Sequence, residues 1–311
     1  MQYDLICIGM ALVDSMIRGF NPEPVSASGY LAESGSLSPG GEAVNTAIAA
    51  SKLGLRTGIL CALGEDAAGQ IVKNELEKNG VDTRLTVRSP ETPVSTIFIR
   101  EDGTRKSITN QAHRYNFHPE KDPARFTDAR ALILGSLFRA PFDDPAVIHD
   151  VLRSAKAAGE TVLADTKLPN FRRLALRDIR DSLPLIDILT PNEDEARYFT
   201  GKDEPEDMAE VFLSFGAETV IIKLGGKGCL LKTRDMTLRL SAIPIHPVDA
   251  TGAGDHFAAG YISEILRGAP PEEALRFANA CGAICTTAVG AGTALRGRDQ
   301  VLRLLAENGV S

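Results

Sequence analysis

The sequence predicts an α/β fold, in which a mostly parallel, twisted sheet is flanked by helices and the whole chain (1–311) forms one domain. Three observations favour this class. Short apolar runs alternate with helical patterns that end at glycine. The first run, residues 5–8, is apolar throughout, as in a strand buried on both faces of a sheet. The chain contains no internal repeat, low-complexity tract or domain linker.

The first half of the chain combines this alternation with two insertions. Strands are predicted at 5–9, 56–63 and 81–87, and helices at 43–53 and 66–79. Residues 16–39 are too long for a plain connection and predict a flap with strands of its own. Residues 94–100 and 104–109 flank Asp102-Gly103, which indicates a hairpin. We expect a small β-sheet lid from about 16–39 and 92–109; the alternative places the hairpin at an edge of the main sheet.

The second half continues the alternation without an insertion. Strands are predicted at 131–135, 161–165, 185–190, 219–224 and 238–245. Helices are predicted at 144–158, 172–183, 192–199, 205–215, 257–266, 271–289 and 298–307. Because ligands of such sheets lie beyond the carboxyl ends of the strands, polar residues that follow strands are candidate site residues.

Composition limits the classes of partner. The formal net charge is −7 and Lys and Arg do not cluster, which argues against nucleic acid as a partner. The five cysteines lack C-x-x-C spacing and are typical of reduced packing residues. The N-terminus runs directly into a strand, without a signal peptide, and no apolar run reaches membrane-spanning length. We therefore expect a cytoplasmic protein that has no membrane partner.

The glycine-rich stretch 248–255 carries the strongest chemical signal. It follows a strand-like run and leads into a helix, and glycines at a helix start allow backbone N–H groups to converge on an anion. Asp255 at the edge of such a site suits a base that removes a proton from an attacking hydroxyl. The pattern indicates phosphoryl transfer. The alternative is an exposed turn in which Asp255 is an ordinary helix N-terminal charge.

Other polar groups follow the remaining strands. Asn192 and Glu195 share one helical face and suit the water shell of Mg²⁺, or else form a capping box. Lys167 suits the neutralisation of a transferred group, or else is a surface lysine. The turn 225–228 suits a nucleotide phosphate, or else is a tight hairpin.

Three motifs together resemble the ribokinase (PfkB) family of carbohydrate kinases. They are Gly40-Gly41 with Asn45, Asn192-x-x-Glu195, and Asp249-x-Thr251-Gly252-Ala253-Gly254-Asp255, in the family's order and spacing along the whole chain. The resemblance implies a ribokinase-like fold with a small lid that closes over a sugar or nucleoside, often paired between two protomers. It also implies ATP and Mg²⁺ as cofactors, with K⁺ in many members, and a homodimer through the lid.

The resemblance also assigns roles to individual positions. Asp255 corresponds to the catalytic base, and Gly252, Ala253 and Gly254 to the anion hole. Substrate-binding positions are Asp14, Gly40, Gly41 and Asn45; ATP-binding positions are Asn192, Lys223, Gly225, Gly228 and Asn279. Glu195 corresponds to a water-mediated Mg²⁺ position, and Asp249 and Thr251 to a monovalent-cation site completed by carbonyls around 288–292. Lys223 stands where many relatives have Thr.

The expected function is ATP-dependent phosphorylation of a primary hydroxyl on a small sugar or sugar acid. A nucleoside acceptor is the first alternative, with Phe20, Tyr30 or Phe98 of the lid stacking on the base. A non-catalytic sugar or nucleotide sensor is the second. An NAD-dependent dehydrogenase is disfavoured, because the first strand is not followed by a G-x-G-x-x-G turn.

Overall fold

The computed structural model describes residues 1–19, 32–100, 104–110 and 117–309. Its strands are β1 (Tyr3–Ile8), β2 (Leu12–Arg18), β3 (Ser34–Gly40), β4 (Thr57–Leu60), β5 (Ala62–Gly64), β6 (Val87–Ser89), β7 (Val94–Ile99), β8 (Arg105–Thr109), β9 (Ala129–Leu137), β10 (Thr161–Thr166), β11 (Ile188–Leu189), β12 (Thr219–Lys223), β13 (Cys229–Lys232) and β14 (Thr237–Leu240). Its helices are α1 (Glu42–Lys52), α2 (Ala67–Lys78), α3 (Pro145–Ala157), α4 (Glu193–Thr200), α5 (Pro205–Ser214), α6 (Ala253–Leu266), α7 (Pro271–Cys285) and α8 (Arg298–Glu307).

The main sheet confirms the predicted class. Within the described ranges it has eight strands in the order β14-β13-β12-β11-β10-β9-β1-β4, and only the pairs β12–β13 and β13–β14 are antiparallel. Apolar side chains of β1 alternate between two cores, with Leu5 and Cys7 on one face and Ile6 and Ile8 on the other. Helices α1, α6, α7 and α8 cover the first face, and α3 and α5 cover the second. The sheet is therefore buried on both sides.

The lid is a separate sheet of four described strands, in the order β3-β2-β7-β8. The hairpin of β7 and β8 lies in this sheet through parallel pairing of β7 with β2, so it belongs to the small separate sheet and not to an edge of the main sheet. Residues 101–103, predicted as its turn, and residues 20–31 of the predicted flap lie outside the described residues. Phe20 and Tyr30, predicted as lid aromatics, belong to the second of these segments.

Several predicted boundaries were wrong for local reasons. The strand at 81–87 is largely a turn, because the Asp82 carboxylate accepts the Arg84 backbone N–H and the Thr86 hydroxyl bonds back to residue 83. The helix at 172–183 is replaced by 3₁₀ turns at Leu176–Ile179 and Leu183–Leu185, the second built around Pro184.

Other segments differ mainly in length. The run 56–63 splits into β4 and β5, and the run 185–190 contains only the two-residue β11. Strand β14 ends at Leu240, not 245, and α7 ends at Cys285, not 289.

The cysteines are all free and buried, as predicted. No helix in the part of the chain that the structure describes is both long and apolar enough to cross a membrane.

Candidate active site

The start of α6 forms the centre of the site. Gly252 caps the helix in the left-handed conformation, with φ of 80°, and Ala253 and Gly254 begin the first turn. A Cβ on Gly252 would lie 2.4 Å from the Cβ of Ala291, so the turn requires glycine for both its conformation and its space. The first-turn N–H groups of a helix have no intrahelical acceptor, and the helix dipole adds positive potential there. This end of α6 is suited to binding an anion.

Asp255 lies in that first turn, beside a cavity. Its residue is only 6% exposed, and its Oδ2 accepts a hydrogen bond of 2.8 Å from Nδ2 of Asn45. Burial raises the pKa of Asp255 to about 7, against the opposing charge of Lys167. A carboxyl group with a pKa near neutrality is suited to accept a proton during a reaction.

The cavity beside Asp255 has a volume of about 510 Å³. It lies between the lid, the start of α1 and the segment that follows β10. Its lining consists of Met10, Leu12, Asp14, Gly41, Glu42, Asn45, Ser95, Ser107, Thr109, Arg139, Lys167, Asn170, Phe171, Thr251, Gly252 and Asp255. A concave site with polar groups on several walls is suited to a small molecule that carries several hydroxyls.

Two glycines at the end of β3 shape the lid side of this cavity. A Cβ on Gly40 would lie 2.3 Å from Oδ2 of Asp14, and a Cβ on Gly41 would lie 2.3 Å from the Met10 carbonyl oxygen. Gly40 therefore leaves room for the Asp14 carboxylate, which faces the cavity. Burial and the nearby Glu42 raise the pKa of Asp14 to about 6.

A second polar cluster lies on the other side of the α6 N-terminus. Nζ of Lys223 is 2.6 Å from Oδ1 of Asp165, which also accepts a hydrogen bond of 2.9 Å from Thr190. A Cβ on Gly254 would lie 3.0 Å from the same Nζ, so the absence of a side chain there lets the ammonium approach the helix start. Lys223, predicted at an ATP-binding position, thus lies directly beside the start of α6.

Asn192 and Glu195 form the capping box that was one of their two interpretations. The Asn192 side chain accepts from the Glu195 N–H at 2.9 Å, and Oε2 of Glu195 accepts from the Asn192 N–H at 3.0 Å. The same oxygen accepts from the Thr166 hydroxyl at 2.8 Å. Burial and the neighbouring Asp165 raise the pKa of Glu195.

A direct metal cage is absent from this region. Among the residues that the structure describes, no group of three or more His, Cys, Asp or Glu side chains is arranged to hold a metal ion. Asn192 and Glu195 offer one carboxylate and one amide, a donor set suited to the water shell of a hydrated Mg²⁺ and too small for a direct cage.

The turn at Gly225–Lys227 joins β12 and β13 as a tight hairpin, which was one of its two interpretations. Gly228 is fixed by its surroundings, because a Cβ there would lie 1.9 Å from the Leu240 carbonyl oxygen. Nothing lies within 4 Å of a Cβ built on Gly225, so another molecule has space to approach its backbone. On α7, the side-chain amide of Asn279 donates to the Ser241 carbonyl at 2.8 Å.

Asp249 connects the turn before α6 to the loop after α7. Its Oδ1 accepts from the Thr251 hydroxyl at 2.7 Å, and its Oδ2 accepts from the Gly290 N–H at 3.1 Å. In the same loop, the Gly292 carbonyl accepts from Nζ of Lys52 at 2.7 Å. The structure therefore brings together the segments expected to surround a monovalent cation.

Sequence reasoning missed several lining residues. Ser95, Ser107 and Thr109 face the cavity from the lid strands, and their period-two spacing in the hairpin was the available signal. Arg139 follows β9, and no sequence motif around it indicated a site residue. Glu42, directly after Gly40-Gly41, was not among the predicted site residues.

Known proteins resemble the chain over nearly its full length. A model described as pfkB family carbohydrate kinase matches residues 5–297. A ribokinase of Haemophilus influenzae is 28% identical over 271 residues, which cover 86% of this chain and 87% of that protein. Probable fructokinase-7 of Arabidopsis thaliana is 28% identical over 325 residues, with coverage of 97% and 92%. The solved structure of Arabidopsis thaliana ribokinase complexed with ribose and ATP has a TM-score of 0.86 at 28% identity, covering 98% of this chain and 99% of that one.

Proposed function

The chain belongs to the pfkB family of carbohydrate kinases and has a ribokinase-like fold, and we propose that it transfers the γ-phosphoryl group of ATP to a primary hydroxyl of a small sugar or sugar acid. One observation carries the proposal: the buried Asp255 joins the anion-binding start of α6 to a polar cavity of about 510 Å³. The solved relative with ribose and ATP supports the choice of donor and of acceptor class.

In the proposed reaction the acceptor lies between the lid and Asp255. Asp255 takes the proton of the acceptor hydroxyl, whose oxygen forms a bond to the γ-phosphorus of ATP. The bond from that phosphorus to the β–γ bridging oxygen breaks, and its electron pair leaves with ADP. The N–H groups of Gly252 and Gly254 would stabilise the negative charge of the phosphoryl oxygens, whereas the Ala253 N–H, predicted for the same role, donates to the Ala250 carbonyl at 3.2 Å.

The donor side uses groups that are already held in place. The Lys223 ammonium, fixed by Asp165, balances phosphate charge beside α6. Mg²⁺ would neutralise the phosphates, with its water shell oriented by Glu195 and Asn192. The open backbone at Gly225 would accept the nucleotide, with Asn279 on the adenine side.

The lid has a second proposed role, as the interface of a homodimer. Its cavity face carries Asp14 and Ser95, which are paired across β2 and β7. Leu37 and Ile108, 61% and 70% exposed, belong to the alternate positions that face away from the cavity. Covering these apolar side chains with a second copy would remove them from water. Sedimentation of the wild type and of a Leu37→Glu/Ile108→Glu variant tests this, and equal monomeric mass for both would reject it.

A nucleoside acceptor is the second candidate, and Phe171 favours it. This ring is 49% exposed and lines the cavity, where it could stack on a base. Phe98, the lid aromatic that the structure describes from the earlier set, does not belong to the cavity lining.

A coupled assay of ADP release over a panel of sugars, sugar acids and nucleosides separates these candidates. The proposal expects ATP-dependent turnover with a member of the first two classes. Turnover restricted to nucleosides would select the alternative, and ligand binding without ADP release would select the sensor.

A further inference from the structure

Glu42 and Lys167 form an ion pair on the wall of the proposed acceptor cavity. Nζ of Lys167 lies 3.5 Å from Oε1 of Glu42, and both residues line the cavity with Asp255. Glu42 is the first residue of α1, and Lys167 directly follows β10. The Lys167 backbone N–H donates to the Leu137 carbonyl at 2.9 Å, and this bond holds the Lys167 backbone in place.

The pair stays charged in spite of its burial. The side chains of Glu42 and Lys167 are 15% and 30% exposed, so both charges lose much of their hydration, and Oε2 of Glu42 is buried without a hydrogen-bond partner within the described residues. Burial raises the pKa of Glu42, but Lys167, Ser136 and Arg139 together hold it below its usual value. Because desolvation offsets much of the attraction within a buried ion pair, the pair adds little to stability, and its charges remain placed on the cavity wall.

The Lys167 ammonium also lies between the two halves of the site. Lys167 directly follows β10, two residues after Asp165, and the charge of Asp165 is among those that raise the pKa of Lys167. Asp165 belongs to the donor side, since its Oδ2 would be 3.9 Å from a Cβ on Gly254. Lys167 also lines the acceptor cavity. An ammonium placed between donor and acceptor faces the group that is transferred.

The charges around Lys167 agree with this position. Burial opposes its charged form, but the surrounding carboxylates, first Glu42 and then Asp255, raise its pKa above the ordinary value. In turn, Lys167 is the largest charge influence on Asp255. The ammonium therefore stays protonated next to the proposed base.

We propose that Lys167 is a further catalytic residue that contacts the γ-phosphoryl oxygens during transfer, and that Glu42 is a positioning residue that holds its ammonium there. The inference rests on the proposed function. As the acceptor oxygen bonds to the γ-phosphorus and the bond to the bridging oxygen breaks, the three peripheral oxygens carry the negative charge. Lys167 neutralises part of that charge and exchanges no proton.

The test compares the binding of ATP and of ADP, because only ATP carries the γ-phosphoryl group. Calorimetry with Mg²⁺ is run on the wild type and on Lys167→Met, Lys167→Arg and Glu42→Gln. Loss of one charge-assisted contact predicts that Lys167→Met weakens ATP binding by about 10- to 100-fold while ADP binding stays unchanged. Lys167→Arg restores part of the preference for ATP, since it keeps the charge.

Glu42 is tested through its dependence on Lys167. Glu42→Gln should reduce the ratio of ATP affinity to ADP affinity by roughly 3- to 10-fold. The double variant Glu42→Gln/Lys167→Met should show the same ratio as Lys167→Met alone, because a positioning residue has no effect without the group it positions. Lys232→Met is the matched control: Lys232 pairs with Glu210 at 3.4 Å with 22% of its side chain exposed, outside the cavity lining. It should bind both nucleotides as the wild type does.

Two outcomes overturn the inference. One is a folded Lys167→Met protein whose ratio of ATP affinity to ADP affinity is that of the wild type. The other is a Lys167→Met protein that loses affinity for ATP and for ADP by the same factor. Failure of the proposed function is seen separately, as wild-type protein that releases no ADP with any acceptor of the panel. Wild-type turnover that is lost in Asp255→Asn, together with an unchanged ratio in Lys167→Met, rejects the role of Lys167 alone.

Discussion

Replacing Asp255 with Asn should lower activity and raise stability at the same time. The amide keeps the shape of the side chain, and its oxygen can still accept the hydrogen bond from Asn45. It cannot take the acceptor proton, so turnover should fall by ~10²-fold or more. In the wild type, turnover should rise with pH as the base deprotonates, with a midpoint near its pKa of about 7.

The stability change follows from the same pKa. The folded-state pKa of Asp255 is raised from 3.8 to about 7, so the folded protein binds more protons than the unfolded chain between these values. The free energy of unfolding of the wild type therefore falls as the pH rises through this window, and the full decrease is reached above about pH 7. At about 1.4 kcal/mol per pKa unit, roughly three units give a ceiling of about 4 kcal/mol. Nearby carboxylates share the effect, so we expect Asp255→Asn to be more stable by about 1 to 4 kcal/mol at pH 8.

Urea unfolding of the ligand-free protein at pH 5 and pH 8 measures this directly. The advantage of Asp255→Asn should be larger at pH 8 than at pH 5, since Asp255 is mostly protonated in the folded protein at the lower pH. Asp235→Asn, at an exposed turn, is the control and should show no such change. A variant that is less stable than the wild type at pH 8, or whose gain in stability is the same at both pH values, would show that the Asp255 carboxylate does not destabilise the fold.

Two glycine substitutions test the shape of the site. Gly252→Ala should lower turnover by at least ~10-fold, because its Cβ would collide with the loop after α7 and displace the start of α6. Gly268→Ala is the control: Gly268 has a similar positive φ but open space around it, so this variant should lose stability and keep its turnover. Equal turnover in both variants would argue against the clash. Gly40→Ala should displace the Asp14 carboxylate and raise KM for the acceptor by ~10-fold without changing KM for ATP. Gly35→Ala, on the same strand but in open space, is the control and should leave both KM values unchanged. A rise in both KM values would contradict a role confined to the acceptor.

The sequence predicted the elements that are governed by periodicity and by glycine. The alternation of apolar runs and helices was enough to predict the parallel sheet, and the spacing of the hairpin strands led to the lid. Segments ruled by short-range side-chain bonds were harder. Asp82 and Pro184 replace a predicted strand and helix with turns, and neither changes the hydrophobic pattern.

The site was predictable where a motif carries the chemistry and not where the fold supplies it. Asp255 and its glycines stand together in the sequence, whereas Glu42 and Lys167 lie 125 residues apart and meet only after the sheet has formed. Lys223 was placed on the nucleotide side, but its distance from Gly254 depends on how β12 faces α6. Contacts of this kind require the sheet order, which a single sequence does not contain.

In the proposed reaction, Asp255 enables the γ-phosphoryl group of ATP to move to a hydroxyl of a bound acceptor. ³¹P NMR of reactions with the best acceptor of the panel follows this transfer directly. We expect a phosphomonoester signal to grow with the ADP signals in the wild type, and its rate of growth to fall ~10²-fold or more in folded Asp255→Asn. Growth of the ester at a near-normal rate in the variant, or of inorganic phosphate alone in the wild type, would contradict it.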